Sequence, residues 1–286
     1  MAVDKLPYLN LGCGTHYHND WVNLDFVSTG EGVIAHNLLK GIPFKDYTFE
    51  VVYHSHVLEH FTKDDGVIFL GECHRVLKPG GILRVAIPDL EKIVQNYQEI
   101  ITQLKQDPED KYLQACYEWI LLEMYDQTIR KKSGGGMAEY LKKPYLVNED
   151  FILRRCGDEV KFIIDWYRKP ENNTQPPVQK NGTFKGIKNF LSSFNSRNAF
   201  KSMLARKLLG KDYINYQQAQ FRNGGEIHQW MYDGYSLTQL LTNTGFNNIR
   251  VCQPFESRIK DWNTFALETA DGKVRKPDSL FIEASK

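Results

Sequence analysis

The feature that most constrains the fold of this sequence is a short apolar strand that runs directly into a glycine turn. The strand-like segment Tyr8–Leu11 is followed at once by Gly12-Cys13-Gly14. The two glycines let the backbone turn sharply and approach a ligand with no Cβ in the way. Asp25 falls at the end of the next strand-like segment, where a carboxylate accepts hydrogen bonds from both hydroxyls of a ribose. The pair predicts a site for a ligand that contains a nucleoside.

The first 90 residues alternate short apolar runs with turn residues, a pattern typical of parallel strands joined by crossovers. The predicted strands are Tyr8–Leu11, Trp21–Asp25, Gly32–His36, Glu50–His54 and Ile82–Ile87. Only about ten residues separate the first two strands, so we expect loop instead of a full helix there. Thr62, with Asp65 three residues on, predicts the start of a helix that ends at Lys78-Pro79-Gly80-Gly81.

After Pro88 the apolar period becomes helical. Asp89 is the predicted N-cap of a helix that covers residues 90–104, and a second helix over about 110–130 ends in a Ser133–Gly136 loop that we expect to be flexible. A polar tract rich in Pro, Asn and Gln, residues 169–183, predicts a linker or a mobile loop.

The end of the chain returns to a helix and strands. Ser236 is the predicted cap of a helix over residues 237–244, which Gly245 ends. Strands are predicted over residues 248–252 and 279–284, and Asp271-Gly272 predicts a hairpin turn before the second of them. We therefore expect a cofactor-binding half in residues 1–89, a mainly helical insertion in residues 90–235, and a completing segment in residues 236–286.

Charge and cysteine content disfavour several classes of protein. The chain has 36 Lys or Arg and 35 Asp or Glu, and its net charge of +1 gives no global attraction to nucleic acid or anionic lipid. The five cysteines are scattered, with no C-x-x-C pair, so we expect a reducing cytoplasm, no disulfide framework and no metal site. No signal peptide precedes Tyr8 and no run of about 18 apolar residues occurs, so we expect neither export nor a membrane span.

One local exception is a basic amphipathic segment over residues 185–211. Seven basic residues interleave with apolar ones, and no acidic residue occurs. The segment is either a lid or surface that meets an acidic substrate or an anionic membrane, or a helical cap with a solvated basic face; the general behaviour of charge runs favours the second interpretation.

Five motifs that follow one another over residues 8–90 resemble those of class I S-adenosylmethionine-dependent methyltransferases of type 11. These motifs are Leu9–Gly14, Val22–Asp25, Ile42–Phe44 with Phe49–Val52, Ser55–His60 and Glu72–Gly81. A dinucleotide fingerprint would need glycine at position 17, where Tyr17 stands. The resemblance implies an α/β, Rossmann-like sheet that is mostly parallel with its last strand antiparallel, and S-adenosylmethionine as cofactor.

The resemblance also implies which residues bind that cofactor. The glycine loop lies under the methionine portion, the acidic residue holds the ribose, and the segments after the third and fourth strands meet adenine and the sulfonium. Carried over, these residues are Leu11, Gly12, Cys13, Gly14, Asp25, His36, Asn37, Leu38, Ser55 and His56. Asn37 stands where the family usually has aspartate, and its amide can still pair with the adenine edge.

The acceptor is predicted less directly. Residues 225–233 and 123–127 resemble a bacterial subgroup of predicted methyltransferases associated with surface-polysaccharide gene clusters. This resemblance implies O-methylation of a carbohydrate, a nucleotide sugar or another small acceptor. The alternatives are a binding or scaffold protein that has lost turnover, a nucleic-acid methyltransferase that grips phosphates with residues 185–211, and a nicotinamide-dependent dehydrogenase, which Tyr17 disfavours.

A sugar hydroxyl is a poor nucleophile and needs a base within hydrogen-bond reach. Our first candidates are His228 and Asp89, followed by His56. Further candidates are His60, Asp126, Arg130 and Tyr232. Each has a structural alternative, because His60 and His228 are also typical of packing residues, Asp89 of a helix cap, and Asp126 with Arg130 of an i,i+4 pair.

Overall fold

The structure is a computed structural model that describes residues 6–169, 203–222 and 224–286. The predicted linker beyond residue 169 and the basic segment up to residue 202 lie outside the described residues. The nine strands of the described part are β1 (Tyr8–Leu11), β2 (Val22–Asp25), β3 (Val33–Ala35), β4 (Phe49–Ser55), β5 (Leu77–Pro88), β6 (Asn247–Cys252), β7 (Thr269–Ala270), β8 (Lys273–Val274) and β9 (Ser279–Ser285).

A seven-stranded sheet organises the molecule. Its order is β3-β2-β1-β4-β5-β9-β6, and the pairs from β3 to β5 are all parallel. Strand β9 is inserted between β5 and β6 and runs antiparallel to both. The predicted fold class, a mostly parallel Rossmann-like sheet with its last strand antiparallel, is therefore confirmed. Strands β7 and β8 pair with each other in a separate hairpin around the predicted Asp271-Gly272 turn.

Helices flank the sheet and continue into the middle of the chain. They are α1 (Lys63–Val76), α2 (Leu90–Leu104), α3 (Lys111–Leu121), α4 (Gln127–Ile129), α5 (Gly135–Leu141), α6 (Glu149–Arg168), α7 (residues 203–209), α8 (Tyr213–Arg222) and α9 (Gly234–Asn243). A π-helical turn, Leu122–Asp126, joins α3 to α4. As expected from the short spacing, no helix lies between β1 and β2.

Local capping signals explain where several helices begin. Thr62 accepts a hydrogen bond from the Asp65 amide, and Asp89 accepts from the amides of Glu91 and Lys92. The predicted cap Ser236 is wrong: Asp233 is the N-cap of α9, and Ser236 is its partner in a capping box. Aspartate and serine side chains can both accept the hydrogen bond that caps a helix. In the structure the Asp233 carboxylate accepts it from the Ser236 amide, so the cap lies three residues before the predicted one.

The predicted flexible loop Ser133–Gly136 is also wrong in part, because α5 begins at Gly135. Asp126 replaces the missing side-chain cap by accepting hydrogen bonds from the amides of Gly136 (2.6 Å) and Met137 (3.3 Å). A carboxylate from a preceding helix therefore orders a glycine-rich segment that has no cap of its own.

The two largest hydrophobic cores of the described residues belong to the sheet and to the helical region. The first packs against the sheet, with Leu11, Val52 and Ile282 fully buried in it. The second lies between α2, α3, α5 and α6, around Trp119 and Ile152. The boundaries predicted for the three parts of the chain stay a prediction, although residues 90–168 have this second core. Among the described residues, no helix is long and apolar enough to cross a membrane.

One buried histidine in the first core predicts a pH effect on stability. His54 on β4 is fully buried against Phe69, and neither ring nitrogen has a hydrogen-bond partner among the residues that the structure describes. Burial lowers its pKa to about 4 from an ordinary 6.5. The unfolded chain therefore takes up the proton first, and the stability contributed by this residue is present above about pH 6.5 and lost as the pH falls towards 4.

We expect His54→Leu to remove this dependence. Relative to the variant, the parent protein should lose about 2 kcal/mol of unfolding free energy between about pH 8 and about pH 5. Urea unfolding of both proteins at the two pH values measures the difference. An identical pH dependence in both proteins would contradict the argument.

Candidate functional site

The predicted cofactor residues lie along one edge of the sheet, at the carboxyl ends of adjacent strands. The glycine loop that follows β1 has left-handed backbone at Gly12 (φ +62°) and Gly14 (φ +55°). A Cβ on Gly12 would lie 2.3 Å from Val57 Cγ2, so only glycine fits there, whereas a Cβ on Gly14 would meet no atom within 4 Å. The loop therefore packs against the segment after β4 and exposes its backbone to open space, as a cofactor cradle requires.

Asp25 at the end of β2 faces the same loop. Its Oδ2 accepts a hydrogen bond from the Gly14 amide at 2.7 Å, and its Oδ1 accepts only a long one of 3.4 Å from the Val27 amide. Thr29 donates a hydrogen bond to the Gly14 carbonyl. The carboxylate is thus held against the glycine loop with an oxygen available for a ribose, which fits the predicted role.

The other predicted cofactor residues support or border this loop. The Cys13 amide bonds to the Leu24 carbonyl at 3.0 Å, and burial with the nearby Asp25 raises the pKa of its thiol to about 12. Leu11 is fully buried in the first core. After β3, Asn37 caps a short 3-10 turn by accepting from the Leu39 amide at 3.0 Å.

His36 and Leu38 flank that cap. The His36 amide donates to the Asp25 carbonyl at 2.7 Å, which ties the end of β3 to the end of β2. Leu38 packs against the first core. The segment predicted to meet adenine therefore begins beside the carboxylate predicted to hold the ribose.

His56, which follows Ser55 at the end of β4, is the most constrained of the predicted residues. Its backbone is left-handed (φ +55°), an unusual conformation for a residue with a side chain. The His56 amide bonds to the Ala86 carbonyl at 2.8 Å, and Nε2 lies 2.9 Å from Ser279 Oγ. On the other side, Nδ1 lies 3.3 Å from Glu59 Oε1. Two neighbours thus fix the imidazole ring, which is typical of a functional residue.

A carboxylate and two further imidazoles lie just beyond His56. We name Glu59, His60 and His228 the Glu59 cluster, because one ligand-type atom from each lies within 4.8 Å of the others. Glu59 is 1% exposed, and His228 Nε2 lies 4.0 Å from its Oε1. The predicted candidates His56, His60 and His228 are therefore brought together around a glutamate.

Burial acts in opposite directions on the charges of this cluster. It raises the pKa of Glu59, but interaction with His56, followed by His228 and His60, more than offsets it and lowers the pKa to about 2. Burial also lowers the pKa of His228 to about 3, against the opposing effect of Glu59. The result is an ionised carboxylate beside a neutral imidazole.

A cavity of about 400 Å³ opens between this edge of the sheet and the helical region. It is lined by apolar residues of α5 and α6 and by groups of both charges. The polar lining residues are His56, Gln127, Arg130, Ser133, Glu159, Lys276 and Asp278. Its size is that of a small-molecule site.

The remaining candidates have structural contacts. Asp89 caps α2 and lines a different cavity, with Lys92 and Ser279. Arg130 pairs with Asp126 at 3.1 Å, as an i,i+4 pair, and with Glu226 at 3.2 Å. The Tyr232 hydroxyl is buried and has no hydrogen-bond partner in the described part of the chain. Asp89 therefore lines the second cavity, whereas His56 lines the first.

Sequence reasoning missed two residues of this site. Glu59 lies inside the motif Ser55–His60, and its position three residues after His56 could have indicated that the two side chains are close. Ser279, which contacts His56 from the last strand, carries no signal in the sequence, because only the insertion of β9 beside β5 brings it there.

Comparison with known proteins supports the class that this fold indicates. Residues 27–85 match a family described as a methyltransferase domain. No curated protein matches the chain. Among solved structures, a SAM-dependent methyltransferase from Archaeoglobus fulgidus is similar over 98% of this chain and 85% of its own, with 11% identity and a TM-score of 0.34.

Two further structures are similar. A possible histamine N-methyltransferase from Thermotoga maritima is similar over 100% of this chain and 84% of its own, with 12% identity and a TM-score of 0.36. A 1,6-didemethyltoxoflavin-N1-methyltransferase from Burkholderia thailandensis, with S-adenosylhomocysteine bound, is similar over 29% of this chain and 44% of its own, with 18% identity and a TM-score of 0.24. These scores are too low to carry an argument about acceptor or mechanism.

The sheet order is Rossmann-like, and the match to a methyltransferase domain covers residues 27–85. Both findings support an S-adenosylmethionine-dependent methyltransferase with S-adenosylmethionine as its cofactor. The matched residues run from the end of β2 into β5 and so include His36, Ser55, His56 and the first two members of the Glu59 cluster.

Proposed function

We propose that this protein transfers the methyl group of S-adenosylmethionine to a hydroxyl group of a small polar acceptor, in the class of carbohydrates or nucleotide sugars. The observation that carries the proposal is the cavity of about 400 Å³ that has His56 in its lining. His56 directly precedes Val57, which packs against Gly12 of the glycine loop. Acceptor and methyl donor would therefore meet at the end of β4.

The lining of the cavity supports a polar acceptor. Arg130 and Lys276 supply hydrogen-bond donors, and Glu159 and Asp278 supply acceptors. A molecule with several hydroxyl groups can form hydrogen bonds with both kinds of group. The resemblance of residues 225–233 to methyltransferases of polysaccharide gene clusters points to the same class.

We propose that the glycine loop, Asp25, Ser55 and the residues 36–38 hold the cofactor. Bound there, S-adenosylmethionine supplies a methyl group that its sulfonium has already activated. The protein then contributes mainly by alignment, because an in-line displacement needs the acceptor oxygen placed opposite the sulfur. Close packing of Val57 against Gly12 would keep the acceptor side of the site at a fixed distance from the cofactor side.

His56 is our preferred base for the acceptor hydroxyl. Of the three residues first considered, His228, Asp89 and His56, it is the one in the lining of this cavity. The Glu59 carboxylate, 3.3 Å from Nδ1, would orient the ring and stabilise it once it has taken up the proton. His228 and Asp89 stay predictions as alternative bases.

The expected result for His56→Gln is a loss of about 100-fold or more in turnover with S-adenosylmethionine binding retained, because general-base catalysis contributes on this scale. Methyl transfer to a panel of nucleotide sugars and glycans measures the first quantity, and calorimetry measures the second. His18→Gln, a histidine in the loop before β2, is the matched control. Full activity of His56→Gln would remove His56 as the base and direct the same test to His228→Ala.

We also propose a cytoplasmic location, because all five cysteines are buried and free, as is usual in a reducing compartment.

If S-adenosylmethionine binds and no acceptor is methylated, the non-catalytic binding protein becomes the better interpretation.

A further inference from the structure

The Glu59 cluster contains a buried carboxylate whose nearest polar neighbours are imidazole nitrogens. Glu59 is 1% exposed and lies 3.3 Å from His56 Nδ1 through Oε1, but neither of its oxygens accepts a well-aligned hydrogen bond from the described residues. Buried carboxylates in folded proteins are hydrogen-bonded, paired with a cation or bound to a metal. Since the imidazoles of His60 and His228 converge on this carboxylate, a bound cation would supply the missing partner.

The hydrogen bond of the His60 ring leaves its other nitrogen free for a ligand. His60 Nδ1 lies 3.2 Å from the Ile227 carbonyl oxygen and donates its proton to it. A neutral imidazole that donates through Nδ1 carries its lone pair on Nε2. Histidines that bind metals generally donate their second ring nitrogen to a carbonyl or carboxylate in this way, which fixes both tautomer and ring orientation.

Hydrogen bonds of the backbone connect Glu59 and His60 to the segment that carries His228. The Gln229 amide donates to the Glu59 carbonyl at 2.7 Å, and the Gln229 side chain donates to the His60 carbonyl at 3.1 Å. The His228 amide donates to the Gln127 carbonyl at 3.0 Å. These bonds join the turn after β4 to a segment far away in sequence, so the three side chains are positioned before any ligand arrives.

We infer that Glu59, His60 and His228 bind a divalent transition-metal ion such as Zn²⁺, Fe²⁺ or Co²⁺. Two imidazoles and one carboxylate are a ligand set suited to these ions, and three protein ligands leave a coordination position open. The three ligand atoms now lie within 4.8 Å of one another. Metal–ligand distances near 2.1 Å require them to be closer together, and a movement of less than about 1 Å by each side chain is enough.

The open position gives the metal a role at the proposed acceptor site. His56 and Gln127, which contact Glu59 and His228, both line the acceptor cavity. A metal there polarises an acceptor hydroxyl and makes its proton easier to remove. This role rests on the proposed function, whereas metal binding by the cluster does not.

The test is metal binding by the full-length protein after treatment with a chelator. Calorimetric titration with Zn²⁺, and the visible absorption of bound Co²⁺, should show stoichiometric binding without any acceptor. The metal should also raise the unfolding temperature, because it binds the folded chain.

Glu59→Gln and His228→Gln, which keep side-chain size, should each bind Co²⁺ at least about 100-fold more weakly than the parent protein. His18→Gln, which lies outside the cluster, should bind it normally. Retained S-adenosylmethionine binding shows that each variant is folded. No stoichiometric binding of either metal by the parent protein, or unchanged affinity in Glu59→Gln, would overturn the inference.

The two proposals fail in different ways. Methyl transfer with no metal bound contradicts the metal site and leaves the proposed function intact. Stoichiometric Co²⁺ binding that Glu59→Gln abolishes, with no methyl transfer to any acceptor, supports the metal site and contradicts the proposed function.

Discussion

Replacing Asp25 with alanine is expected to weaken S-adenosylmethionine binding about 100-fold or more. Each hydrogen bond between a carboxylate and a ribose hydroxyl contributes roughly 1.5–3 kcal/mol, and this residue is expected to make two. The substitution also removes the 2.7 Å bond that fixes the Gly14 amide. Loss of the ligand contact and loosening of the loop act in the same direction.

The matched control is Asp20→Ala. Asp20 is an exposed carboxylate in the loop before β2 that pairs with His18 at 3.7 Å. Isothermal titration calorimetry with S-adenosylmethionine should show normal affinity for this control and about 100-fold lower affinity for Asp25→Ala. Equal affinity in the two variants would mean that Asp25 does not hold the ribose.

Arg84→Met should cause the second large effect, a loss of about 3–5 kcal/mol in the free energy of unfolding. Arg84 lies in the middle of β5, is fully buried, and pairs with Glu268 at 2.5 Å and with Glu283 at 2.7 Å. Its guanidinium also lies 4.4 Å from the centre of the Trp262 ring. Methionine fills much of the volume and leaves two buried carboxylates without their common cation.

The electrostatics of this triad explain why the cost is high. Burial raises the pKa of Glu268 to about 7 even with Arg84 in place, and Glu283 adds to the increase. Without the arginine, Glu268 must either take up a proton or remain charged in the core, whereas Glu283 keeps Arg250 and Arg258 as partners.

Urea unfolding at neutral pH measures the effect. Arg154→Met is the matched control, because Arg154 pairs with Asp150 on the exposed face of α6 and should contribute about 0.5 kcal/mol or less. Adding Glu268→Gln and Glu283→Gln to Arg84→Met should recover part of the lost stability. A loss no greater than that of Arg154→Met would contradict the account.

The sheet and the glycine loop could be predicted from sequence because their signals are local. Strand β1, the turn at Gly12 and the carboxylate of Asp25 lie within 18 consecutive residues, and the glycines and the carboxylate match known chemical needs. The caps at Thr62 and Asp89 were predicted for the same reason. The cap of α9 was misassigned because Asp233 and Ser236 can both serve, and local sequence does not rank them.

The acceptor site depends on contacts that sequence does not encode locally. Glu59 and His228 lie 4.0 Å apart at the end of β4 although they are far apart in the sequence. No metal was expected, because that expectation rested on the cysteines. Glu59 and His60 are adjacent in the sequence, but the third member of the cluster, His228, is too far along the chain to form a short metal-binding motif with them. Ser279 reaches His56 only through the antiparallel insertion of β9.

The most direct test of the central claim is calorimetric titration of the purified parent protein with S-adenosylmethionine and with its demethylated product, S-adenosylhomocysteine. The account predicts saturable, stoichiometric binding of both, with affinity greatly reduced in Asp25→Ala. Absence of binding by either compound to a folded parent protein would contradict it.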